Sequence, residues 1–236
     1  MKRYADGKIL LETKGPVTTV IINRAEVRNA LDNAAARGLG QAMRDFDADD
    51  SQLVAVLTGE GGAFCAGADL KQVAGSADYV AWAVDAEGPT NPTLSKPVIA
   101  AVEGHAVAGG LGLALWCDIR VIDATSVFGV FCRRWGVPMS DGTTVRLPRL
   151  IGSARALDML ITGRGVNADE AMAWGLATRR AATGQTRQVA EELARQIAEF
   201  PQIAMRSDRR SAYMQVGRTL EEAVKVEKEL SQAAKA

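Results

Sequence analysis

Apolar residues in the first part of the chain lie in short continuous runs. Residues 8–12 and 17–22 are rich in β-forming side chains and are separated by Gly15-Pro16, which predicts an antiparallel hairpin. Further runs have the length of a buried strand, at residues 53–58, 97–102 and 119–122. The first two are each followed by a glycine-rich stretch and then by a helical pattern. Strand, glycine turn and helix in this recurring order predict an α/β fold with a mostly parallel sheet covered by helices.

The last third of the chain has a different pattern, with amphipathic helices and few strand-forming residues. Residues 187–200 carry an apolar face at helical spacing that ends at Pro201, and residues 220–236 form another such segment. We therefore divide the chain into a core over residues 1–182 and a helical C-terminal region over residues 183–236. We expect this region to pack on the core or on a neighbouring subunit, as an oligomer interface or a lid.

Composition excludes several classes of protein. The 28 basic and 28 acidic residues balance, and 47% of the residues are hydrophobic, which excludes disorder and a dedicated nucleic-acid binder. Three cysteines without a CxxC pair and a single histidine provide no zinc-finger spacing. The N-terminus lacks the apolar core of a signal peptide, and no window approaches the ~20 apolar residues of a membrane span. We expect a cytoplasmic protein that binds no metal, nucleic acid or membrane.

The glycine-rich stretches after the strands have two interpretations. Neither contains the lysine and hydroxyl of a P-loop, and no G-x-G-x-x-G follows a strand. Gly109-Gly110 opens a helix, where free N–H groups and the positive end of the helix dipole can hold a developing oxyanion. The alternative is that these glycines only permit close packing of helix on sheet. Spacing alone does not separate the two.

Several blocks in order resemble the enoyl-CoA hydratase/isomerase, or crotonase, superfamily. The resemblance covers nearly the whole chain and is strongest in GGAFCAGADL (61–70), KPVIAAVEGHAVAGGLGLALWCD (96–118) and FGVFCRRWGVPMSDGTTVRLPRLIG (128–152). It implies a crotonase-like spiral of ββα units with a helical C-terminal region, assembled as a trimer or a dimer of trimers. It also implies an acyl-CoA substrate whose thioester enolate is held by two backbone N–H groups, with no cofactor beyond the CoA of the substrate.

The resemblance assigns site residues by position. The oxyanion donors are the N–H groups of Ala66 and Gly109. The positions assigned to CoA and substrate binding are Arg28, Ala30, Ala66, Gly67, Ala68, Asp69, Leu70, Gly109, Gly110 and Cys132. For Asp69, a loop or helix-cap role is the favoured interpretation. Residues 79–95 and 131–139 are expected to line the acyl tunnel.

The sequence departs from the family at the proton-transferring residues. Hydratases of this family use two glutamates, and this chain has Gly112 and Cys132 at their positions. Glycine cannot transfer a proton, and a thiol does not simply replace a carboxylate. Asp141 is the remaining acidic candidate. In the family's dehalogenases and dienoyl-CoA isomerases a catalytic aspartate occurs in this loop, at the position of Ser140.

Asp141 has a structural alternative as a turn residue or as the N-cap of a helix over residues 143–151. Cys132 is either a thiolate activated by neighbouring arginines or an inert buried thiol. The resemblance favours an enoyl-CoA hydratase. The alternatives are an enoyl-CoA isomerase, an acyl-CoA hydrolase or dehalogenase using Asp141, and a non-catalytic CoA-binding homologue.

Overall fold

The computed structural model describes residues 1–75, 80–82, 85–90 and 93–234. Within these residues the strands are β1 (Lys2–Tyr4), β2 (Ile9–Lys14), β3 (Val17–Ile22), β4 (Val54–Gly59), β5 (Val98–Val102), β6 (His105–Val107), β7 (Ile119–Ile122), β8 (Val127–Gly129), β9 (Gly165–Val166) and β10 (Arg179–Arg180). The helices are α1 (Asn33–Ala48), α2 (Leu70–Gly75), α3 (Gly109–Trp116), α4 (Thr143–Ile151), α5 (Ser153–Thr162), α6 (Ala168–Ala173), α7 (Thr186–Ala198), α8 (Gln202–Met214) and α9 (Leu220–Ala233).

A seven-stranded sheet in the order β1-β2-β3-β4-β5-β7-β10 forms the centre of the fold. The predicted hairpin is confirmed as β2 and β3, which pair antiparallel around a turn in which Gly15 has φ 60°. From β3 onward the neighbouring strands are parallel. A second sheet of β6, β8 and β9 was not expected from the sequence, because its strands are only two or three residues long.

Helices cover both faces of the large sheet. Helix α1 begins after Asp32, whose carboxylate accepts the Ala35 N–H, and buries an apolar repeat of Leu39, Met43 and Phe46. Helix α7 lies on the opposite face, where Ala190 and Ala194 pack against residues of β3, β4, β5 and β7. The α/β fold predicted from the sequence is therefore confirmed.

The last two helices pack against each other rather than over the sheet. Helices α8 and α9 contact one another, and α9 begins with a capping box between Thr219 and Glu222. Ile203, Tyr213 and Leu220 on these helices and their connection are exposed. The division at residue 182 and the oligomeric role of the C-terminal region stay predictions, and α7 belongs structurally with the sheet.

Candidate active site

Two loops that follow parallel strands meet over the beginning of α3. The loop after β4 is tied to β6 by a bridge between Cys65 and Ala106, and to the segment before α1 by a bridge between Leu31 and Ala68. A cavity of about 110 Å³ lies where they meet. Its walls are Ala66, Ala68, Leu70, Val73, Trp82, Ala108, Gly109, Phe131, Cys132, Trp135, Val137, Pro138, Met139, Ser140 and Asp141. Most of these residues are apolar, and Asp141 is the charged residue among them.

Ala68 and Gly109 contribute backbone N–H groups that are not otherwise used. In the Leu31–Ala68 bridge the Leu31 N–H donates to Gly67 at 2.8 Å, and the Asp69 N–H donates to Leu31 at 2.9 Å. Ala68, between them, therefore turns its own N–H away from Leu31. Gly109 is the first residue of α3 and has no intrahelical acceptor. Neither N–H has an acceptor among the residues that the structure describes.

This geometry corrects the donor assigned to Ala66. The Ala66 N–H donates to the Arg28 carbonyl at 3.0 Å, so it is already used within the protein. The unused N–H in the same loop is that of Ala68, two residues further on. A sequence motif identifies the loop, but which N–H faces the cavity depends on strand pairing with residues far away in the chain.

The turn before α3 is strained. Ala108 has φ 50° and ψ −126°, a conformation that L side chains rarely adopt and that costs about 1–3 kcal/mol. It accepts the first hydrogen bond of the helix, from the Leu111 N–H at 3.0 Å, and sets the position of Gly109. Backbone strain at this point is consistent with a functional turn.

Glycines in the two loops also permit close packing, so the two interpretations of the glycine stretches are compatible. A Cβ on Gly67 would lie 2.9 Å from the Gly109 nitrogen, and one on Gly110 would overlap the carbonyl oxygen of Cys65. A Cβ on Gly109 would come within 2.6 Å of the Trp82 ring. The glycines bring the loops together, and their closeness places the free N–H groups at the cavity.

Asp141 lies against the position left empty by Gly112. A Cβ on Gly112 would be 2.6 Å from each carboxylate oxygen of Asp141. The carboxylate therefore fills the space in which a side chain at position 112 would begin. Gly109 and Gly112 are three residues apart on α3, which puts them on one face about 4.5 Å apart along the axis. A carboxylate thus lies roughly one helical turn from the Gly109 N–H.

The Asp141 carboxylate is held at one oxygen. Thr143 donates to Oδ1 with its N–H at 3.0 Å and with its hydroxyl at 2.6 Å, and no described residue donates to Oδ2. Asp141 is 6% exposed and Thr143 is fully buried. Burial raises the pKa of Asp141, whereas the hydrogen bonds from Thr143 and the charge of Arg146 lower it. Thr143 therefore fixes the carboxylate through Oδ1 and leaves Oδ2 without a donor in the described part of the chain.

Of the two structural roles expected for Asp141, turn residue and helix N-cap, the structure shows the turn. Its Oδ1 accepts the N–H two residues later, which is the turn geometry of an Asx residue. The residue before α4 is Gly142, so Asp141 is not the N-cap of that helix. The turn presents the same side chain to the cavity. The turn role therefore does not exclude the chemical one, which stays a prediction.

Cys132 lies in the cavity wall beside Met139, with 3.0 Å between Sγ and Sδ. Burial raises the pKa of its thiol, and the negative charge of Asp141 raises it further, against a smaller lowering by Arg133. Because the thiol is stabilised over the thiolate, the environment favours the inert interpretation of Cys132.

Arg28, Ala30 and Asp69, also predicted to bind CoA, are not among the residues that line the cavity, and each makes contacts within the protein. The exposed Arg28 supplies the carbonyl that accepts from Ala66, and Ala30 is buried and accepts from the Arg24 guanidinium. Asp69 pairs with Arg24 at 3.1 Å and accepts the Lys71 N–H at 3.1 Å at the start of α2. The structural interpretation of Asp69 is supported by these contacts. Arg24 itself, which also pairs with Asp32, was missed from the sequence.

Aromatic side chains form much of the remaining wall. Trp82 is buried against Gly109, and Trp135 is exposed at the cavity. His105 stacks edge-on against Phe131 at 6.5 Å between ring centroids, which agrees with a packing role. Of the segment expected to line the tunnel, residues 79, 83, 84, 91 and 92 lie outside the described residues.

Comparison with known proteins decides the family. A family model described as enoyl-CoA hydratase/isomerase matches residues 12–236. The chain belongs to the enoyl-CoA hydratase/isomerase family. A relative named enoyl-CoA hydratase from Mycobacterium tuberculosis is 36% identical over 209 residues, covering 86% of this chain and 79% of the relative. A carnitinyl-CoA dehydratase from Proteus mirabilis is 37% identical over 201 residues, covering 83% and 76%.

Solved structures of the family are also similar to this chain. The crystal structure of an enoyl-CoA hydratase from Mycobacterium marinum has a TM-score of 0.89 at 33% identity, covering 94% of this chain and 88% of that one. The crotonase fold inferred from the sequence is therefore confirmed, as is membership in a family of enzymes. Over the described residues, no group of three or more His, Cys, Asp or Glu is placed to hold a metal ion. No helix among them is both long and apolar enough to cross a membrane.

Proposed function

We propose that this protein is an acyl-CoA enzyme that moves a proton through a thioester enolate, with Asp141 as the single acid–base group. The observation that carries the proposal is the Asp141 carboxylate, buried in the cavity wall about one helical turn from the Gly109 N–H. The N–H groups of Ala68 and Gly109 would hold the enolate oxygen. Two preorganised donors at such an oxygen stabilise the transition state by several kcal/mol.

The reaction that one carboxylate completes by itself is isomerisation of an enoyl thioester. Oδ2 of Asp141 takes a proton from the α-carbon of a 3-enoyl thioester, and the electron pair of that C–H bond moves toward the carbonyl oxygen. The same carboxyl group then returns the proton to the γ-carbon, which gives the 2-enoyl thioester. No water is consumed, in agreement with the apolar walls of the cavity.

Hydration of a 2-enoyl thioester is the second candidate, because the similar proteins include named hydratases and a dehydratase. Here Asp141 would accept a proton from the attacking water and pass it to the α-carbon. The position of the second glutamate holds the neutral thiol of Cys132, so one carboxylate would serve both steps. Single-carboxylate hydration is expected to be slow compared with isomerisation.

The proposal needs no cofactor beyond the CoA of the substrate. A cytoplasmic location, a role in fatty-acid metabolism and assembly as a trimer or a dimer of trimers are part of it as expectations from the resemblance. A hydrolase or dehalogenase would use Asp141 as a nucleophile, and it would release free CoA or halide. A non-catalytic homologue would bind the thioester without converting it.

A two-substrate assay tests this function. Purified protein is given trans-3-hexenoyl-CoA and, separately, crotonyl-CoA, and the absorbance of the conjugated enoyl thioester is followed. We expect absorbance to rise with the 3-enoyl substrate and to fall little with crotonyl-CoA. Asp141→Asn should reduce the first rate by about 10²–10⁴-fold while binding of the thioester by calorimetry is retained. Faster loss of crotonyl-CoA absorbance would establish hydration instead, and binding without either change would establish the non-catalytic homologue.

A further inference from the structure

A second cavity lies at the other end of the sheet from the candidate active site. It has a volume of about 510 Å³, is open to solvent on one side and is lined by residues of α8 and α9 and by residues 93–95. Those residues come before β5, at the amino end of the strand, whereas the active-site loops follow its carboxyl end. The two cavities share no wall residue in the described part of the chain.

The walls of this second cavity carry positive charge. Arg206, Arg209 and Arg210 line it, and no acidic side chain does among the described residues. Arg209 is neutralised by Asp118, with 2.8 Å between Nε and Oδ1, and it also donates to the Leu94 carbonyl. Among the described residues, Arg206 has no such partner.

Arg206 presents one complete edge of its guanidinium without an acceptor. Nε and Nη2 are both buried, and neither has a hydrogen-bond partner in the described part of the chain. These two nitrogens lie on the same edge of the planar group, which is the edge that pairs with two oxygens of a carboxylate. Arg206 as a whole is only partly buried, but leaving two buried donors of a cation unmet is unfavourable, so this geometry favours an anion at that edge.

Nearby protein groups do not supply that anion. The carboxylate of Asp47 accepts from the Ser95 N–H and hydroxyl, each at 2.9 Å, and from the Lys96 N–H at 3.2 Å. Lys96 lies close by as a second cation: burial lowers its pKa, the charges of Asp47, Asp50 and Asp49 oppose that shift, and the charge of Arg206 adds to it. None of these carboxylates accepts a hydrogen bond from Nε or Nη2 of Arg206.

Aliphatic side chains form much of the rest of the wall, together with Thr93, Ser95, Ser207 and Tyr213. Leu94, Ile203, Met214 and Leu230 lie in it, and the cavity volume is in the range of small-molecule sites. We propose that this cavity binds an aliphatic carboxylate, with the two oxygens on the free edge of Arg206 and the hydrocarbon body against these side chains. The site is separate from the acyl-CoA cavity and does not depend on the function proposed there.

Calorimetric titration with octanoate tests this site on the full chain. We expect binding to the wild-type protein and at least tenfold weaker binding to Arg206→Gln. The matched control is Arg218→Gln, which removes one exposed arginine from the turn between α8 and α9 and should change the affinity less than twofold. Octan-1-ol, which has the same body without the charge, should bind at least tenfold more weakly than octanoate.

Four results would overturn the proposal. They are no octanoate binding to the wild type, equal binding to Arg206→Gln, equal binding of octan-1-ol, and equal Arg206-dependent binding of inorganic phosphate. Binding of octanoate in the acyl cavity would be recognised by its independence of Arg206. If Arg206→Gln does not fold, Arg206→Lys keeps the charge but loses the two-donor edge. It should bind octanoate at least fivefold more weakly, and unchanged affinity would count against the site.

Discussion

The two halves of the candidate active site are built in different ways. One half consists of the backbone N–H groups of Ala68 and Gly109, positioned by strand bridges and by the strained turn at Ala108. The other half consists of one side chain, Asp141, whose carboxylate lies against Gly112, one of the two positions where the resemblance leads us to expect a glutamate. Backbone donors need only the fold, so they persist through sequence change. An acidic side chain, in contrast, can come from a different element of the fold when a smaller residue, such as Gly112, leaves space for it.

The largest expected effect comes from putting a glutamate at position 112. Because its Cβ would lie 2.6 Å from both oxygens of Asp141, Gly112→Glu must displace that carboxylate. We expect at least 100-fold loss of turnover and a loss of stability of about 1–3 kcal/mol, as for overpacked sites. Kinetic assays and denaturant unfolding measure the two effects.

The double variant Gly112→Glu/Asp141→Gly sharpens this test. It vacates the space that the new side chain needs and should recover most of the lost stability. From the sequence alone, Gly112→Glu is expected to restore a hydratase. Its new side chain would clash with Asp141, so the single variant cannot test that expectation by itself. Normal stability of Gly112→Glu would mean that Asp141 does not occupy this space.

Gly109→Ala tests the backbone half. The added Cβ meets the Trp82 ring, so the turn must shift and the N–H loses its position. We expect turnover to fall by about 10²-fold, the effect of losing one oxyanion donor. Infrared spectroscopy of the bound thioester carbonyl should show a smaller red shift than in the wild type. Asp141→Asn should keep the full red shift of the carbonyl band. Loss of that shift in Asp141→Asn would mean that the carboxylate and the backbone N–H donors do not act independently.

Thr143→Val tests how the carboxylate is held. Thr143 lowers the pKa of Asp141 against the effect of burial, so its removal should raise that pKa further. The base must be ionised, and activity is lost as pH falls through its pKa. The acid limb of the pH–rate profile should therefore move to higher pH, with turnover at neutral pH reduced about tenfold or less. An unmoved acid limb in a folded variant would remove Thr143 as a positioning residue.

Cys132→Ser should have the smallest effect. The thiol is buried and held neutral, and its contact with Met139 is apolar in character. We expect turnover within about threefold of the wild type, because no proton transfer is assigned to it. A loss of 100-fold, measured in the same assay, would instead indicate that Cys132 acts chemically and that Asp141 is not a single acid–base group.

Local patterns predicted most of the fold, and long-range contacts account for what they missed. The hairpin, the strand at Ile119–Ile122 and the helix at Thr143–Ile151 follow from periodicity and turn residues nearby in sequence. The choice between Ala66 and Ala68 depends on the bridge to Leu31, which no local pattern specifies. The contact of Asp141 with Gly112 likewise joins a loop to a helix earlier in the chain. The resemblance locates the positions at which the expected glutamates are absent. Only the fold shows that the Asp141 carboxylate occupies the space beside one of them, Gly112.

Exchange of the α-hydrogen with solvent tests the central claim most directly, because it reports enolate formation whatever the overall reaction. Butyryl-CoA is incubated with enzyme in deuterated water, and loss of the α-proton signal is followed by NMR. We predict catalysed exchange by the wild type and at least 100-fold slower exchange by Asp141→Asn, with thioester affinity unchanged within threefold. Exchange by Asp141→Asn at the wild-type rate would contradict the account, since another group would then be the base.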